Sequence, residues 1–403
     1  MLERIVVVGG SLAGLRAVES LRAGGHDGEL IVVGAETNRP YDRPPLSKKL
    51  LAGEWEPDRI ELRKRDELES LGATWRLGAP ATGLDVEARQ VTVADGSVIS
   101  FDGLVIATGA APRRLPGQAD FSHVVELRTL DDSVDLRARL RGGTTRVAVI
   151  GAGFIGLEVA ATARRLGNSV VVLEGASAPL IRALGAEMGA ACAAVHADHG
   201  VAIHCGVAVA SIGLGGVQLG DGELVAADVI VVGIGVAPVT DWLAGSGLEI
   251  RDGVVCDSML NVGVPHVYAA GDVARWPNPL FGEEMRVEHW TNAAEQGAAA
   301  GSNLLAESRG EPGEAYAPVP FFWSDQYDRR IQFLGRAAPD DDVRVVAGSI
   351  EERSFLALYG RDGLLHGVLG MNLPRLVMKF RPLLARRATW EDAVDLAASN
   401  PIS

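Results

Sequence analysis

Two glycine-rich turns of the same kind occur in the chain, at residues 9–14 and 151–156, each between an apolar run and a segment with helical periodicity. A further apolar run follows each turn and ends at an acid, Glu36 in the first case and Glu174 in the second. A strand, a glycine turn, a helix and a strand capped by an acid make one mononucleotide-binding unit. The chain is therefore predicted to bind two nucleotides face to face, one flavin and one nicotinamide.

The first turn reads GGSLAG and departs from the G-x-G-x-x-G pattern at Ser11, where a side chain would stand closest to the phosphates. Gly9 allows the tight turn, Gly14 allows the helix to approach the strand, and the helix N-terminus offers N–H groups to a pyrophosphate. Serine is small and can donate a hydrogen bond, so we interpret it as a tolerated variant. The predicted flavin-nucleotide contacts of this segment are Gly9, Ser11, Ala13, Gly14 and Glu36.

The second turn, GAGFIG, has the complete pattern, and Glu174 follows Gly156 by 18 residues (174 − 156). A spacing of roughly 20 is expected for the acid that binds the ribose. A carboxylate accepts a hydrogen bond from a 2′-hydroxyl and repels a 2′-phosphate, and residues 175–180 contain no arginine or lysine. NADH is therefore favoured over NADPH. The turn residues in the predicted set are Gly151, Gly153, Phe154, Ile155 and Gly156.

The composition fits an α/β protein with two or three domains, since 47% of the 403 residues are hydrophobic and 49 are glycine. A net charge of −14 counts against nucleic acid as a general partner. No apolar run reaches the roughly 18 residues of a membrane span, and the first strand begins too early for a signal peptide. We expect a soluble, cytoplasmic protein that does not associate with membranes.

The cysteines and histidines do not suggest a metal or disulfide site. Cys192, Cys205 and Cys256 are widely spaced, without a C-x-x-C pair, and are expected to be ordinary core residues. His196, His199, His204 and Cys205 form a cluster in the sequence, but a helix ending at Gly200 and a strand after it would scatter these side chains. No metal is predicted.

The segments after each turn are similar to each other. Residues 71–100 suggest short antiparallel strands inserted into the flavin domain, and a buried strand then ends at Ala107, Thr108 and Gly109. Residues 216–243 repeat the D-G turn, the apolar run and a glycine-proline stop that contains Gly235. The chain is thus predicted to contain a duplicated architecture.

A third segment suggests that the flavin domain is discontinuous. An apolar strand delivers Gly271 and Asp272 to a predicted helix start, where the carboxylate can hydrogen-bond a ribityl hydroxyl. We predict a FAD-binding domain at residues 1–112 and 236–312, a NAD-binding domain at 113–235, and a smaller C-terminal α+β interface domain at 313–403. The fold class is α/β with two Rossmann-like domains.

These motifs resemble one family over nearly the whole chain, with the most specific matches at residues 39–51, 127–132, 151–163, 269–274, 287–297 and 321–335. The chain resembles the FAD-dependent NADH:ferredoxin reductases of the glutathione-reductase-like fold, such as putidaredoxin reductase, rubredoxin reductase and the reductase components of aromatic-ring dioxygenases.

The resemblance implies roles for particular residues. Arg43 and Lys48 would contact FAD, with Lys48 near the reactive edge of the flavin and within reach of Glu158. Arg128, Ala81, Asp272 and Trp290 would match further flavin-contacting positions. Phe154 would flank the nicotinamide, and Trp290 and Trp323 would help form the surface that faces the ferredoxin. The implied catalytic residues are Lys48, Glu158, Trp290 and Trp323.

Disulfide reductases of this fold carry a C-x4-C pair where this chain reads RPPLSKKLL, with Ser47 and no cysteine. Dithiol and sulfenate chemistry are therefore excluded at this position. The resemblance implies an enzyme that accepts hydride from NADH onto FAD and passes single electrons to a 2Fe–2S ferredoxin. That ferredoxin would serve an oxygenase such as a cytochrome P450 or an aromatic-ring dioxygenase.

Two alternatives are open at this point. The electrons could go to a small molecule, a quinone or the ascorbyl radical, or the protein could be a redox-sensing interaction protein similar to apoptosis-inducing factor. A ferredoxin is usually acidic, so a local basic patch would aid its encounter with this acidic chain. The candidates are Arg63, Lys64, Arg65, Arg329 and Arg330.

Overall fold

The computed structural model describes residues 2–400 of the chain. Two compact units are present. The first unit comprises Met1–Asp42, Asp58–Ala111 and Ala237–Pro320, and the second comprises Arg43–Pro57, Pro112–Val236 and Phe321–Ser403.

A five-stranded parallel sheet forms the centre of the first unit. Its strands are short, and the three central ones are rich in valine, isoleucine and leucine, as expected where helices and loops cover both faces of a sheet. In spatial order they are Val267–Ala269, Gly103–Ile106, Arg4–Val8, Glu29–Val33 and Ala73–Arg76.

Two helices of the first unit pack closely against each other. The first fingerprint helix, Leu12–Ala23, lies against the long helix Trp290–Ser308. A Cβ atom on Gly297 would stand 2.2 Å from the carbonyl oxygen of Ala13, so only glycine allows this approach. The remaining helix of the unit is Arg65–Ser70.

Two predictions about the first unit need correction. We expected residues 71–100 to form only antiparallel strands, but Ala73–Arg76 pairs in parallel with Glu29–Val33 and extends the main sheet. Gly271 and Asp272 begin a single 3-10 turn, Gly271–Val273, followed by a strand and not by a longer helix. The unit also contains two small three-stranded sheets. The first is antiparallel and comprises Ala81–Asp85, Gln90–Val93 and Val98–Ser100. The second has one parallel and one antiparallel pairing and comprises Val254–Val255, Ala274–Asn278 and Glu283–Met285.

The second unit contains a parallel sheet of the same design. Its strands in spatial order are Ala202–Cys205, Ser169–Glu174, Arg146–Ile150, Val229–Val232 and Val124–Val125. The second fingerprint helix, Phe154–Arg165, follows the central strand, and the other helices are Leu130–Leu140, Ile181–Leu184 and Ala186–Asp198. A small antiparallel sheet comprises Val209–Gly213, Gly216–Leu219 and Leu224–Ala226. Two short strands, Ala110–Pro112 and Val236–Pro238, include the positions where the chain passes from one unit to the other.

The C-terminal part of the second unit is built on a five-stranded antiparallel sheet. Its strands in spatial order are Phe321–Gln326, Arg329–Gly335, Leu364–Met371, Ser354–Arg361 and Asp342–Ser349. The helices are Pro374–Lys379, Arg381–Ala385 and Trp390–Ala398. The first two of these helices are separate because Pro382, near the start of the second, cannot donate a backbone N–H within one longer helix.

Each unit has its own apolar core, and two of the three cysteines lie in these cores. Cys256 is buried in the first unit and Cys192 in the second, whereas Cys205 is only half-buried, so the expectation of a core residue was wrong for Cys205. Among residues 2–400, no helix combines the length and the apolar character needed to cross a membrane.

Candidate active site

Backbone contacts fix the first glycine turn. Gly9 has φ +129°, and a Cβ atom there would stand 2.0 Å from the carbonyl oxygen of Ala107. A Cβ atom on Gly14 would stand 1.9 Å from the carbonyl oxygen of Gly9. Both predicted glycine roles therefore have a steric basis, a positive-φ turn and a close approach between helix and strand.

The first fingerprint helix starts with an N-terminus suited to an anion. Ser11 is its N-cap, its side chain makes no capping hydrogen bond, and no acid lies in the first turn. The N–H groups of a first helical turn and the helix dipole favour a negatively charged group. At the end of the next strand, the Tyr41 hydroxyl donates to the carboxylate of Glu36.

The Gly271 turn offers an observation that fits a large bound cofactor. Gly271 has φ +79°, and its N–H donates to Oε1 of the fully buried Gln296 at 2.8 Å. Nε2 of Gln296 has no hydrogen-bond partner among the described residues. Because a buried amide without a partner is unfavourable, a ligand with polar groups at this turn, where Asp272 also lies, would satisfy it.

Other predicted residues of the first unit lie as follows. Thr108 donates its hydroxyl hydrogen to the carbonyl oxygen of Val239 at 2.8 Å, and Gly109 after it has φ +69°. Trp290 begins the long helix, and its indole N–H donates to Oδ1 of Asp42 at 2.6 Å. Ala13 lies in the first fingerprint helix, and Ala81 begins an antiparallel strand.

The second glycine turn repeats the contacts of the first. A Cβ atom on Gly151 would stand 2.3 Å from the carbonyl oxygen of Gly233, and one on Gly156 would stand 2.2 Å from that of Gly151. A Cβ atom on Gly153 would meet nothing within 4 Å, and no acid lies in the first turn of the helix. The N-terminus thus leaves room for an anionic group beside the backbone.

Backbone N–H groups hold the predicted ribose-binding acid of the second unit. Glu174 accepts from the N–H of Ala152 at 2.6 Å and from that of Ala176 at 2.8 Å.

The other predicted nicotinamide-nucleotide residues lie as follows. Phe154 packs on Phe322 with ring centroids 4.8 Å apart, Ile155 is half exposed, and Gly235 has a positive φ of 97°.

The structure joins two of the predicted catalytic residues. Nζ of Lys48 lies 2.7 Å from Oε2 of Glu158, and the side chains are 15% and 2% exposed. Glu158 projects from the second fingerprint helix, and Lys48 follows a 3-10 turn, Pro44–Ser47. Pairing in a buried setting stabilises two charges that would each be unfavourable alone.

Two serines complete the bonding of this carboxylate. The Ser47 hydroxyl donates to Oε2 of Glu158 at 2.5 Å, and the Ser324 hydroxyl donates to Oε1 at 2.6 Å. Sequence reasoning noted Ser47 only as the residue that stands in place of a cysteine, and it missed Ser324. Both serines lie inside motifs that carried the family resemblance, which was the available signal.

Backbone contacts anchor the segment that carries Lys48. The Thr162 hydroxyl donates to the carbonyl oxygen of Ser47 at 2.7 Å, and Lys48 also donates to the carbonyl oxygen of Pro44 at 3.1 Å. Nearby, the guanidinium of Arg43 donates to the carbonyl oxygen of Arg128 at 2.5 Å. The lysine is therefore held in place and not a solvated loop residue.

Two histidines of the sequence cluster make contacts with neighbouring side chains. His196 is fully buried and hydrogen-bonded to Gln326 at 2.9 Å, whereas the ring of His199 stacks on Tyr327 at 3.7 Å. Within residues 2–400, no group of three or more His, Cys, Asp or Glu side chains is placed to hold a metal ion.

Comparison with known proteins identifies the family. Residues 3–297 match the family described as pyridine nucleotide-disulphide oxidoreductase, and residues 321–401 match the reductase C-terminal family. The chain belongs to the pyridine nucleotide-disulphide oxidoreductase family.

Two relatives that cover nearly the whole chain are named as reductases. Rhodocoxin reductase of Rhodococcus erythropolis is 36% identical over 399 residues, which cover 97% of this chain and 92% of the relative. The ferredoxin–NAD(+) reductase component of the anthranilate 1,2-dioxygenase system of Burkholderia cepacia is 37% identical over 389 residues, 95% of this chain and 94% of the relative.

A solved structure agrees with these relatives. The ferredoxin reductase for the CYP199A2 system of Rhodopseudomonas palustris has a TM-score of 0.92 and 33% identity, with 98% of this chain and 99% of that chain covered. The predicted fold class and the resemblance to FAD-dependent NADH:ferredoxin reductases are both confirmed.

Proposed function

We propose that this protein is a ferredoxin–NAD(+) reductase that transfers electrons from NADH through FAD to a 2Fe–2S ferredoxin, which serves an oxygenase such as a cytochrome P450 or an aromatic-ring dioxygenase. The observation that carries the proposal is the buried ion pair of Lys48 and Glu158, in which Nζ lies 2.7 Å from Oε2. Glu158 lies on the second fingerprint helix, and Lys48 lies in the segment where disulfide reductases of this fold carry cysteines. The names of the relatives support the ferredoxin as acceptor.

The proposed domain organisation follows the sequence. FAD binds residues 1–112 and 236–312, NADH binds 113–235, and residues 313–403 form an interface domain. The proposed FAD contacts are Gly9, Ser11, Ala13, Gly14, Glu36, Arg43, Lys48, Ala81, Ala107, Thr108, Gly109, Arg128, Gly271, Asp272 and Trp290. The proposed NAD contacts are Gly151, Gly153, Phe154, Ile155, Gly156, Glu158, Glu174 and Gly235.

FAD supplies the step that side chains cannot perform, the conversion of a two-electron donor into two one-electron transfers. The net reaction is NADH plus two oxidised ferredoxins giving NAD⁺, one proton and two reduced ferredoxins. The glycine turns and helix N-termini would hold the phosphates, and the acids Glu36 and Glu174 would hold the riboses. Lys48 and Glu158 would offer a fixed positive charge and a fixed carboxylate to the bound cofactors, and Trp290 and Trp323 would contribute to the catalytic surface.

The arginines proposed for a basic ferredoxin-binding patch carry less net positive charge than the sequence suggested. Arginines among the candidates lie close to carboxylates: Arg63 at 2.6 Å from Glu19, Arg65 at 3.0 Å from Glu69, Arg329 at 3.2 Å from Asp328 and Arg330 at 3.9 Å from Asp325. Such pairs reduce the local positive charge. We therefore propose that docking depends on the half-buried aromatic rings of Phe321 and Trp323, which stack with centroids 6.0 Å apart, more than on charge. We also propose that the protein is cytoplasmic.

The test begins with the purified protein, which should be yellow. Under anaerobic conditions NADH should bleach the flavin absorbance at much lower concentration than NADPH does. A 2Fe–2S ferredoxin from the same cells should then be reduced, and two molecules of ferredoxin should be reduced for each NADH consumed. A colourless protein, or turnover that requires an added thiol, would refute the proposal, and turnover with a quinone but not with ferredoxin would redirect it to a small-molecule acceptor.

A further inference from the structure

A row of buried hydrogen bonds leads away from Glu158. Ser324 donates to Oε1 of Glu158 at 2.6 Å, and Nε2 of Gln326 donates to Oγ of Ser324 at 3.1 Å. Oε1 of Gln326 lies 2.9 Å from Nε2 of His196, and Nδ1 of His196 lies 3.4 Å from the hydroxyl of Tyr327. The Glu158 chain is defined here as Ser324, Gln326 and His196.

The fold places the members of the Glu158 chain in line. Ser324 and Gln326 are two apart on the strand Phe321–Gln326, so their side chains lie on the same face of the sheet. His196 comes from the helix Ala186–Asp198. Ser324, Gln326 and His196 are all 0% exposed. Because water does not reach them, each must find its hydrogen-bond partners within the row.

The charged end fixes the direction of every bond in the row. An ionised carboxylate only accepts hydrogen bonds, so Ser324 must donate its single hydrogen to Glu158. Ser324 must then accept from the amide NH₂ of Gln326, which leaves the amide oxygen of Gln326 facing His196. His196 must therefore carry its proton on Nε2.

The surroundings of His196 keep its ring neutral, with a single proton. Burial lowers the pKa of His196 to about 4. The hydrogen bond to Gln326 acts in the opposite direction and raises this pKa, whereas the neighbouring His199 lowers it further. The ring is therefore neutral at pH 7, with one proton on one of its two nitrogens. Burial also raises the pKa of Tyr327 to about 12, so its hydroxyl stays protonated and can either donate or accept.

We propose that Ser324, Gln326 and His196 are positioning residues for Glu158, and that the charge of Glu158 sets the tautomer of His196 through the direction of the chain. The chain holds Glu158 in the rotamer that meets Lys48. It does not conduct protons, since an amide such as Gln326 would have to pass through its imidic acid form. The consequence for catalysis rests on the proposed function, but the coupling between Glu158 and His196 does not.

The Glu158→Gln variant should reverse the chain. Lys48 can only donate, so it selects the amide oxygen of Gln at position 158 and turns the NH₂ group toward Ser324. Ser324 then accepts, donates to the oxygen of Gln326, and leaves the Gln326 NH₂ group facing Nε2 of His196. His196 should change from the Nε2–H to the Nδ1–H tautomer.

The tautomer can be read directly from the ring nitrogen shifts of protein with ¹⁵N-labelled histidine, with His196 assigned by its absence in His196→Gln. We expect Nε2–H in the wild type and Nδ1–H in Glu158→Gln. An Nδ1–H tautomer in the wild type would overturn the proposal, and that measurement does not depend on the folding of Glu158→Gln. A folded Glu158→Gln protein that retains Nε2–H would overturn it as well.

Two controls locate the coupling in the chain. Tyr327→Phe should keep the Nε2–H tautomer, because the hydroxyl does not determine the direction. In a Ser324→Ala background, Glu158→Gln should no longer change the tautomer, and a change that persists without Ser324 would contradict the proposal. All of these readouts are independent of whether ferredoxin is the acceptor.

A kinetic measurement tests the positioning role. Ser324→Ala should lower kcat for NADH-dependent reduction about fivefold with less than a twofold change in KM, and Ser324→Thr, which keeps the hydroxyl, should restore it. Equal losses in the Ala and Thr variants would overturn the positioning role. Absence of ferredoxin turnover in the wild type would overturn only the proposed function.

Discussion

The two fingerprint helices begin alike and differ where the chemistry lies. Gly9 and Gly151 occupy the same place in their turns, so residues seven further on, Arg16 and Glu158, occupy the same place in their helices. Arg16 is partly exposed and pairs with Glu19 at 2.6 Å on its own helix. Glu158 is 2% exposed and pairs with Lys48 from a distant segment. Duplication reproduced the nucleotide-binding scaffold, whereas the buried charge belongs to one copy.

The largest expected effect comes from breaking the buried pair. Glu158→Ala leaves the ammonium of Lys48 buried without its carboxylate, and the free energy of unfolding should fall by about 3–5 kcal/mol. The equivalent Arg16→Ala in the other helix removes an exposed pair and should lower it by less than ~1 kcal/mol. Urea unfolding of the two variants measures the difference.

The double variant Glu158→Leu with Lys48→Met provides the control for this comparison. It removes both charges and keeps apolar volume, so most of the lost stability should return. If the double variant were as unstable as Glu158→Ala, the loss would come from packing and not from the unpaired charge.

The second effect is a loss of stability in acid that depends on one histidine of the second unit. Burial lowers the pKa of His196 to about 4, below its ordinary value of 6.5, so the unfolded chain binds this proton more readily. The stabilisation is therefore complete above pH 6.5 and is lost as the pH falls from 6.5 to 4. It should amount to about 3 kcal/mol.

His196→Gln should remove most of this pH dependence, as measured by urea unfolding at pH 7 and at pH 4.5. His199→Gln should make the slope only slightly shallower, because the charge of His199 is the smallest of the influences on the pKa of His196. An equally steep slope in His196→Gln would assign the acid sensitivity to other groups.

A third prediction separates two glycines of one turn. Alanine at Gly156 would place its Cβ 2.2 Å from the carbonyl oxygen of Gly151, and moving that backbone should destabilise the protein by about 2–3 kcal/mol. Alanine at Gly153 meets no atom within 4 Å and has ordinary φ, so stability should change by less than ~0.5 kcal/mol.

Gly153→Ala should weaken NADH binding without changing the stability of the protein. Gly153→Ala, although stable, would fill the space beside the helix N-terminus and raise the Kd for NADH about tenfold. Thermal unfolding and fluorescence titration measure the two properties separately. Tight NADH binding by Gly153→Ala would contradict the assignment of this space to the nicotinamide nucleotide.

Local patterns predicted these glycine turns because each depends on a strand and a helix adjacent in sequence. The bonding of Glu158 could not be predicted in the same way, since Ser47 and Ser324 lie 111 and 166 residues away from it. The strand Ala73–Arg76 was misassigned for a related reason. Its pairing with Glu29–Val33 is set by tertiary contacts, and four residues carry too short a pattern to distinguish parallel from antiparallel pairing.

The smallest expected effect distinguishes the two ribose-binding acids. Glu174→Gln removes the negative charge that would repel a 2′-phosphate. It keeps an oxygen for only one of the two N–H groups, those of Ala152 and Ala176, which now bond to separate oxygens of Glu174. The preference for NADH over NADPH, taken as the ratio of kcat/KM values, should fall about tenfold, equivalent to ~1.4 kcal/mol. Steady-state assays with each coenzyme measure it.

Glu36→Gln is the corresponding change in the first unit, where the carboxylate accepts from Tyr41. It should leave the NADH preference unaltered, because this acid is assigned to the flavin nucleotide, and it should instead weaken FAD retention on dilution. A change in coenzyme preference in Glu36→Gln, or none in Glu174→Gln, would reverse the assignment of the two units. The same pair of variants therefore tests which copy of the scaffold binds which nucleotide, independently of the acceptor.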